Sequence, residues 1–523
     1  VIKLTQFEGS FNGNPNTYGH WQSTLEQNNW DYRQGRRWLI SDAVRDVAVA
    51  ADGTAWFATP YGVSRIAQQP TTLAQKAAFY ESEIDRYHKR TPYGYVTNAT
   101  MSTPGDKSTA QPNATDNDGQ YTGLYVAAMA LGYGATKDPA LKIRATQAFE
   151  AIAFLSEVTQ GGSNPAPKGF ISRAIMPTDG WNPNERDNPE RDKKTQAEND
   201  HLWKILDPRW PTDESGKWYW KTDTSSDELD GHFFAYATYY DNVAETEAEK
   251  ERCREVVSRV ADHLMKHDFS LVDHDGKPTR WADFSPHALN KDRNHWTERG
   301  LNSLSLLTYL SVAHHVTGKK KYRKAYMKLV NKHDYALNGM VAPKLQFGPG
   351  SHVQFDDKMA FMNYYHLIRY ETDPELLNMY YTSIYYYWNI VKYETNPFFN
   401  FVYASCALGK IRQDQWGDLD VSPTGDWLQQ SVDTLKDYPL DLIDWRHTNS
   451  HRIDLVPLGD HTREPGKNIG AGHRNNGYVI PIDETQALSW SEDRWRFDTG
   501  GNGTRLRDGS PYLLAYYMGL KHG

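Results

Sequence analysis

The sequence predicts a mainly α chain: six helical hairpins closing into an (α/α)6 toroid, with a small β appendage at the N-terminus. Three observations lead there. First, a short polar cluster opening a stretch of aromatic and small apolar residues recurs six times: DNDGQYTG from Asp116, SSDELDGH from Ser225, HWTERGLNS from His295, QFDDKMAFMNYYH from Gln354, TNPFFNF from Thr395 and RDGSPYLLAY from Arg507. Second, amphipathic, charge-rich stretches of helical period alternate with these clusters. Third, the short turns ATKDPAL, VTGKKKY and ETDPELL join neighbouring segments tightly enough to keep two helices antiparallel. The repeat is one of structure without close sequence identity.

Residues 1–66 differ from the rest. ISDAVRDVAVAADGTAWFATPYGVSRI alternates apolar and polar positions, with turn signals at Asp52-Gly53 and Tyr61-Gly62. It resembles one blade of a sensor-type β-propeller. One blade does not close a propeller, so the segment is expected to form a small β appendage on the main domain. Residues 67–523 then hold the toroid.

The outer helices follow in order. TTLAQKAAFYESEIDRYHKR is the first, and DPALKIRATQAFEAIAFLSEV has Pro139 in its first turn. TEAEKERCREVVSRVADHLMKH carries acids early and bases late, in accord with the helix dipole. KKKYRKAYMKLVNKH, DPELLNMYYTSIYYYWNIV and TGDWLQQSVDTLKDY complete the set. Residues 159–224 and 438–507 lack periodicity and read as long functional loops over one end of the ring.

Composition narrows the function. The chain has 523 residues, 39% hydrophobic and 24% charged, which is enough for a sizeable core. A net charge of -8 argues against nucleic acid as a partner. It leaves room for an anionic sugar, which needs only a few local arginines. Tyr 33 and Trp 17 offer flat faces suited to sugar rings, and equally suited to packing between helical layers. Cys253 and Cys406 are expected as buried free thiols. No apolar run is long enough to span a membrane. The start, VIKLTQF, reads as a processed or trimmed terminus, and an exported protein is the expectation. The oligomeric state is not readable.

Helix N-termini present unpaired N–H groups and a positive dipole end, so the six clusters mark the expected binding end of the ring. Capping accounts for Ser225, Ser226 and Thr297. It does not account for His232 beside Gly231, for Arg299 and Asn302 in ERGLNS, or for Tyr121. No HExxH, Cys-pair, P-loop, GxSxG or Rossmann pattern appears in the required context, so neither a catalytic metal nor a cofactor is expected. Asp116-Asn117-Asp118-Gly119 approximates a calcium loop without its downstream glutamate. Asp227, Glu228 and Asp230, with Asp356 and Asp357, could supply the paired carboxylates of a glycosidase. Arg173 in GFISRAI, Arg446 and Arg452 in DWRHTNSHR, and Arg496 in RWRF could fork onto a uronate carboxylate.

SSDELDGH, ERGLNS, DWRHTNSHR and the closing DGSPYLLAYYMG, behind the blade-like segment, resemble a group of exported (α/α)6-toroid proteins. It includes the polysaccharide lyase family that removes terminal L-rhamnose from D-glucuronic acid on arabinogalactan side chains. The resemblance covers essentially the whole chain. It implies β-elimination at glucuronate, which needs a donor or cation on the C5 carboxylate, a base for the C5 proton and an acid for the leaving O4. On this reading His232, Tyr121, Arg299 and His88 are the catalytic candidates. Arg173, Asp118, Asp227, Glu228, Asn302, His352, Arg446, His447 and Arg452 are the substrate-binding candidates. Two alternatives stay open: a hydrolase of the same fold using paired carboxylates, and a glycan-binding protein without catalysis.

Overall fold

The computed structural model describes residues 2–4, 30–344, 354–415, 417–457, 470–488 and 493–523. Twelve helices of eleven residues or more lie among them, and they alternate in character along the chain. They are α1 (Leu73–Tyr87), α2 (Asp118–Thr136), α3 (Pro139–Phe154), α4 (Ser226–Asn242), α5 (Glu247–Lys266) and α6 (Arg299–Thr317), then α7 (Lys320–His333), α8 (Gln354–Tyr370), α9 (Pro374–Val391), α10 (Pro397–Ala407), α11 (Trp427–Asp437) and α12 (Ser510–His522).

The even-numbered helices are the segments that follow the six polar clusters. They have almost no polar stripe, and every residue of α2 from Asp118 to Tyr133 is buried. A helix that is apolar all round must be surrounded by other elements, and these are. α2 touches α4, α4 touches α6, α6 touches α8, α8 touches α10, α10 touches α12, and α12 returns to α2. The odd-numbered helices bury one face against this cycle: α3 on α2, α5 and α7 on α6, α9 on α8 and α10, α11 on α10, α1 on α12. Their starts are well capped. Thr72 and Thr246 form capping boxes with Gln75 and Glu249, and Asp138 and Asp373 cap α3 and α9 just before a proline.

Side chains fill the middle of the cycle. Asn363 of α8 reaches Asp230 of α4 at 2.9 Å, and Phe233 stacks on Tyr309 with ring centroids 4.4 Å apart. The closest approach is between α2 and α4, where Gly123 and Gly231 face the opposite helix. A Cβ on Gly123 would lie 2.6 Å from the carbonyl oxygen of Gly231, and one on Gly231 would lie 2.6 Å from the Cα of Gln120.

In the N-terminal segment, β1 (Asp46–Val49), β2 (Ala55–Thr59) and β3 (Gly62–Ile66) form an antiparallel meander in that order, turning at the two sites marked in the sequence. Residues just before it dock on the C-terminal part of the chain. The Tyr32 amide donates to Glu484 at 2.9 Å, and Arg37 donates to the carbonyl of Thr485 at 2.6 Å.

The two long aperiodic stretches hold more regular structure than their sequence suggests. The first contains a helix at Pro189–Glu198 and the strand pair Ile175–Pro177 with Trp218–Trp220. A buried ion pair of Arg209 with Asp192 at 2.8 Å, and the Trp210 indole on Asp187 at 3.0 Å, hold it together. The second supplies strands Ile443–Thr448 and Asp498–Leu506, which join Ala99–Met101 and Ala110–Pro112 in a four-stranded antiparallel sheet. Their order comes from polar cross-links and pairing with distant strands, neither of which leaves a local period. Cys253 and Cys406 are buried free thiols.

Candidate functional site

The starts of α2, α4 and α8 converge, and they carry ionisable groups that burial would normally exclude. Asp118 opens α2 and pairs with Arg90, while its other carboxyl oxygen accepts from the Thr115 amide at 2.9 Å. Asp227 in the first turn of α4 accepts from Asn117 and from Ser225, so the α2 and α4 starts are tied together. Glu228 follows, fully buried. One oxygen accepts from the Gln120 amide at 3.1 Å and the other has no partner. Burial pushes the Glu228 carboxyl well above the ordinary carboxylate range, and the charge of Asp227 adds to the shift.

Asp356, in the first turn of α8, is buried with Lys344 beside it at 3.3 Å. Burial raises Asp356 to about 6, against the pull of Lys344, with Asp227 raising it further. The charge of Asp227 therefore acts on both Glu228 and Asp356, which makes the three carboxyls one cluster. Cations surround it. Arg173, from the first long loop, spans the gap by donating to the carbonyls of Asp116 at 2.7 Å and Asp223 at 3.0 Å. Its charge acts on Glu228. Arg280 meets Glu298 at 3.6 Å, and the Trp281 ring lies under both Arg280, at 3.8 Å, and Lys344, at 5.2 Å. Trp296, just ahead of α6, is 48% exposed.

Asp230, one turn further into α4, accepts from Tyr309 at 2.5 Å and Asn363 at 2.9 Å while its second oxygen is unpartnered, and burial lifts it to about 7. The arrangement combines a carboxyl whose protonated form burial favours, a second raised to about 6, and positive charge beside both. That is the equipment for moving a proton on and off a bound polar substrate.

Of the residues singled out in the sequence, Asp118, Arg173, Asp227 and Glu228 meet here. His232 stands behind them. It is fully buried, its Nδ1 lies 2.7 Å from the Tyr236 hydroxyl, and its Nε2 is unpartnered. A Cβ on Gly119 would strike both this nitrogen and the Glu228 carboxyl, so the two side chains are neighbours. Burial alone lowers His232 to about 3, which keeps it neutral. It lies near Glu228 within the helix packing rather than on an open face. Tyr121 is buried in the first turn of α2. Asn302 is buried in α6 with an unpartnered side-chain nitrogen. Arg299 spends its Nε on the carbonyl of Leu289 at 2.5 Å.

The remaining candidates are elsewhere. His88 ends α1 and is buried against the carbonyl of Thr97 at 2.8 Å, with burial lowering its pKa. Arg452 is buried between Glu484 at 2.7 Å and Asp454 at 2.8 Å, a pairing that leaves it a cross-link between loops. His447 is buried with Nδ1 2.9 Å from the Trp445 carbonyl. Arg446 is exposed in a separate groove with Arg36 and Trp445. The reason is strand alternation: His447 and Arg446 are adjacent in Ile443–Thr448 and face opposite sides. His352 lies outside the described residues. Lys344, Arg280 and Glu298 were not singled out as site residues. They stand in aperiodic sequence or next to a helix cap, where no local pattern marks them. Among the described residues no group of three His, Cys, Asp or Glu is arranged to hold a metal ion, and no helix is long and apolar enough to cross a membrane.

No protein-family model matches the chain, and no curated protein matches it. Among solved structures the likenesses are distant. A sugar epimerase from a ruminal bacterium is 10% identical, with 86% of this chain and 97% of that one covered at a TM-score of 0.40. An alpha-1,6-mannanase of glycoside hydrolase family 76 from a Salegentibacter species is 12% identical, with 69% and 96% covered at 0.27. A family 76 mannosidase from Bacteroides thetaiotaomicron is 13% identical, with 69% and 96% covered at 0.25. At such TM-scores none of these likenesses assigns a reaction to this chain.

Proposed function

We propose that this chain is an exported (α/α)6-toroid polysaccharide lyase that removes terminal L-rhamnose from D-glucuronate on arabinogalactan-type glycans by β-elimination. The observation that carries the reading is the cluster of Glu228, Asp227 and Asp356 with Arg173 and Lys344 at the converging helix starts. The sequence resemblance supplies the substrate class.

The roles follow from the protonation states. Positive charge from Lys344 and Arg173 stabilises the uronate carboxylate and so acidifies the C5 proton. Asp356, ionised above about 6, takes that proton. The C4–C5 double bond forms as the C4–O4 bond breaks. Glu228, whose protonated form burial favours, gives its proton to the glucuronate O4, which departs with rhamnose as its anomeric hydroxyl. No water is consumed. Neutral His232 positions Glu228, and Trp281 and Trp296 offer flat faces to the sugar rings.

One protonation limit is expected. With Asp356 as base, kcat/KM falls as the pH drops below about 6. Replacing Lys344 by Met removes the charge that holds Asp356 down, so this limb moves to higher pH. A pH–rate profile of the two proteins checks it, and an unmoved limb removes Asp356 from the role.

A second reading is a glycoside hydrolase with Glu228 as acid and Asp227 or Asp356 as its partner. What favours it is that several carboxyls gather at the converging helix starts, with burial raising Glu228 and Asp356 above the ordinary carboxylate range. Digestion of gum arabic separates the readings. Released rhamnose together with the ultraviolet absorbance of an unsaturated uronide supports the lyase. Rhamnose without that absorbance supports the hydrolase, and neither product supports a binding protein.

A further inference from the structure

Beside the cluster, in the next sector of the same end, a partly open cavity lies between the N-terminal ends of α10 and α12. It is about 540 Å³ counting its mouth, with about 50 Å³ open to the centre of a water molecule. Asn396, Pro397 and Phe398 of the α10 start and Pro511 and Tyr512 of the α12 start line it, so two helix dipoles present their positive ends. Dipoles alone do not make a site, and this cavity has more.

Two buried donors that face it have nothing to bond. Arg494 is 7% exposed and Tyr438 is 6% exposed, and both line the cavity. Arg494 places Nη2 on the carbonyl of Ile480 at 3.1 Å, and its Nη1 has no partner. The Tyr438 hydroxyl has no partner either. A buried guanidinium with an unmet donor carries a desolvation cost that an anion would offset. Lys358 brings further positive charge to the lining. The one acid there is Glu394, which accepts from the Trp495 indole at 2.9 Å. Burial, with the nearby Asp357 charge, raises Glu394 to about 7, so it offers little opposing charge in mildly acidic solution. Leu435, Ile482 and Leu488 close the rest with apolar surface.

We propose that this cavity is a carboxylate-binding site, in which Arg494 and Tyr438 hold the acid group of a uronic acid whose ring stays at the mouth. The restricted inner volume fits a carboxylate and excludes a whole sugar. The inference rests on the uronate reading of the neighbouring cluster. It adds a carboxylate clamp separate from Arg173 and Lys344, neither of which lines this cavity.

The test is titration calorimetry of the whole chain with sodium D-glucuronate, using D-glucose as the neutral control. Glucuronate is expected to bind and glucose not to. Arg494→Gln is expected to weaken glucuronate binding by ~10–100-fold, and Tyr438→Phe by several-fold. Since Arg494 is buried, melting temperature and circular dichroism are read in parallel. Tyr438→Phe keeps the shape, so it tests the site even if Arg494→Gln does not fold. Equal affinity for glucuronate in Tyr438→Phe and in a folded Arg494→Gln overturns the inference, as does equal binding of glucose. Absence of glucuronate binding to the parent also overturns it. The two readings fail separately. Unsaturated product with unchanged binding in the variants sinks only this site. Weakened binding with no unsaturated product sinks only the lyase.

Discussion

Glu228→Gln is expected to lower turnover by ~10²–10⁴-fold, the usual contribution of a general acid, with little loss of fold. The amide keeps the shape of the side chain and can still accept from the Gln120 amide, but it has no proton to give. The stability consequence has a definite sign. The folded-state pKa of Glu228 is raised above 4.5, so the native state binds the proton more tightly than the unfolded chain. Below about 4.5 both states are protonated and the group is neutral to stability. Above it, the unfolded chain ionises freely while the buried carboxyl is held back, so stability declines with rising pH. Glu228→Gln abolishes that decline. The variant should therefore match the parent at acidic pH and melt higher at alkaline pH, while remaining almost inactive. A residual rate near that of the parent takes Glu228 out of the chemistry. A variant that melts below the parent at alkaline pH contradicts the raised pKa of Glu228.

Gly231→Ala is the substitution expected to do most damage to the fold. The added methyl would stand 2.6 Å from the Cα of Gln120, which is backbone in the middle of the tightest helix contact and cannot swing aside. Overpacking of this kind costs ~1–3 kcal/mol, read as a lower denaturant midpoint. Because α2 and α4 carry Asp118, Asp227 and Glu228, forcing them apart also disturbs the cluster. Activity should fall by more than stability alone accounts for at temperatures where the protein remains folded. Gly500→Ala is the control: nothing lies within 4 Å of the new methyl and the backbone angle suits any residue. A change within ~0.5 kcal/mol is expected there. Equal stability of Gly231→Ala and the parent would mean that α2 and α4 are not packed as described.

The helical skeleton was legible because its signals are local. Each of the six polar clusters opens one of the even-numbered helices, from Asp118 in α2 to Ser510 in α12, because caps, acids and prolines belong at helix starts. The outer helices were legible for the same reason, through period and capping at Thr72, Asp138, Thr246 and Asp373. The site was legible in half. Asp227 and Glu228 stand in a cluster whose composition invited notice, and Arg173 was marked by a basic side chain within an apolar stretch. What sequence does not carry is which partners a side chain meets. Arg446 and Arg452 have the same local appearance as Arg173, yet one is exposed in another groove and the other is consumed by Glu484 and Asp454. His232 looked like a base at an open end, yet helix packing encloses it and lowers its pKa. Lys344 gave no signal, and RWRF drew notice to Arg496 rather than to Arg494; each lies in aperiodic chain and gains meaning only from Asp356 or Tyr438 across the fold.

The central claim is elimination rather than hydrolysis at the cluster of Glu228, Asp227 and Asp356. Its most direct measurement is to cleave a rhamnosyl-glucuronide glycan in water enriched in heavy oxygen and weigh both products. The account predicts that rhamnose leaves with its original oxygen, that no heavy oxygen enters either product at the cleaved bond, and that the uronide is lighter than its hydrolysis product by one water. Heavy oxygen at the cleaved bond, with a saturated uronide, would contradict it.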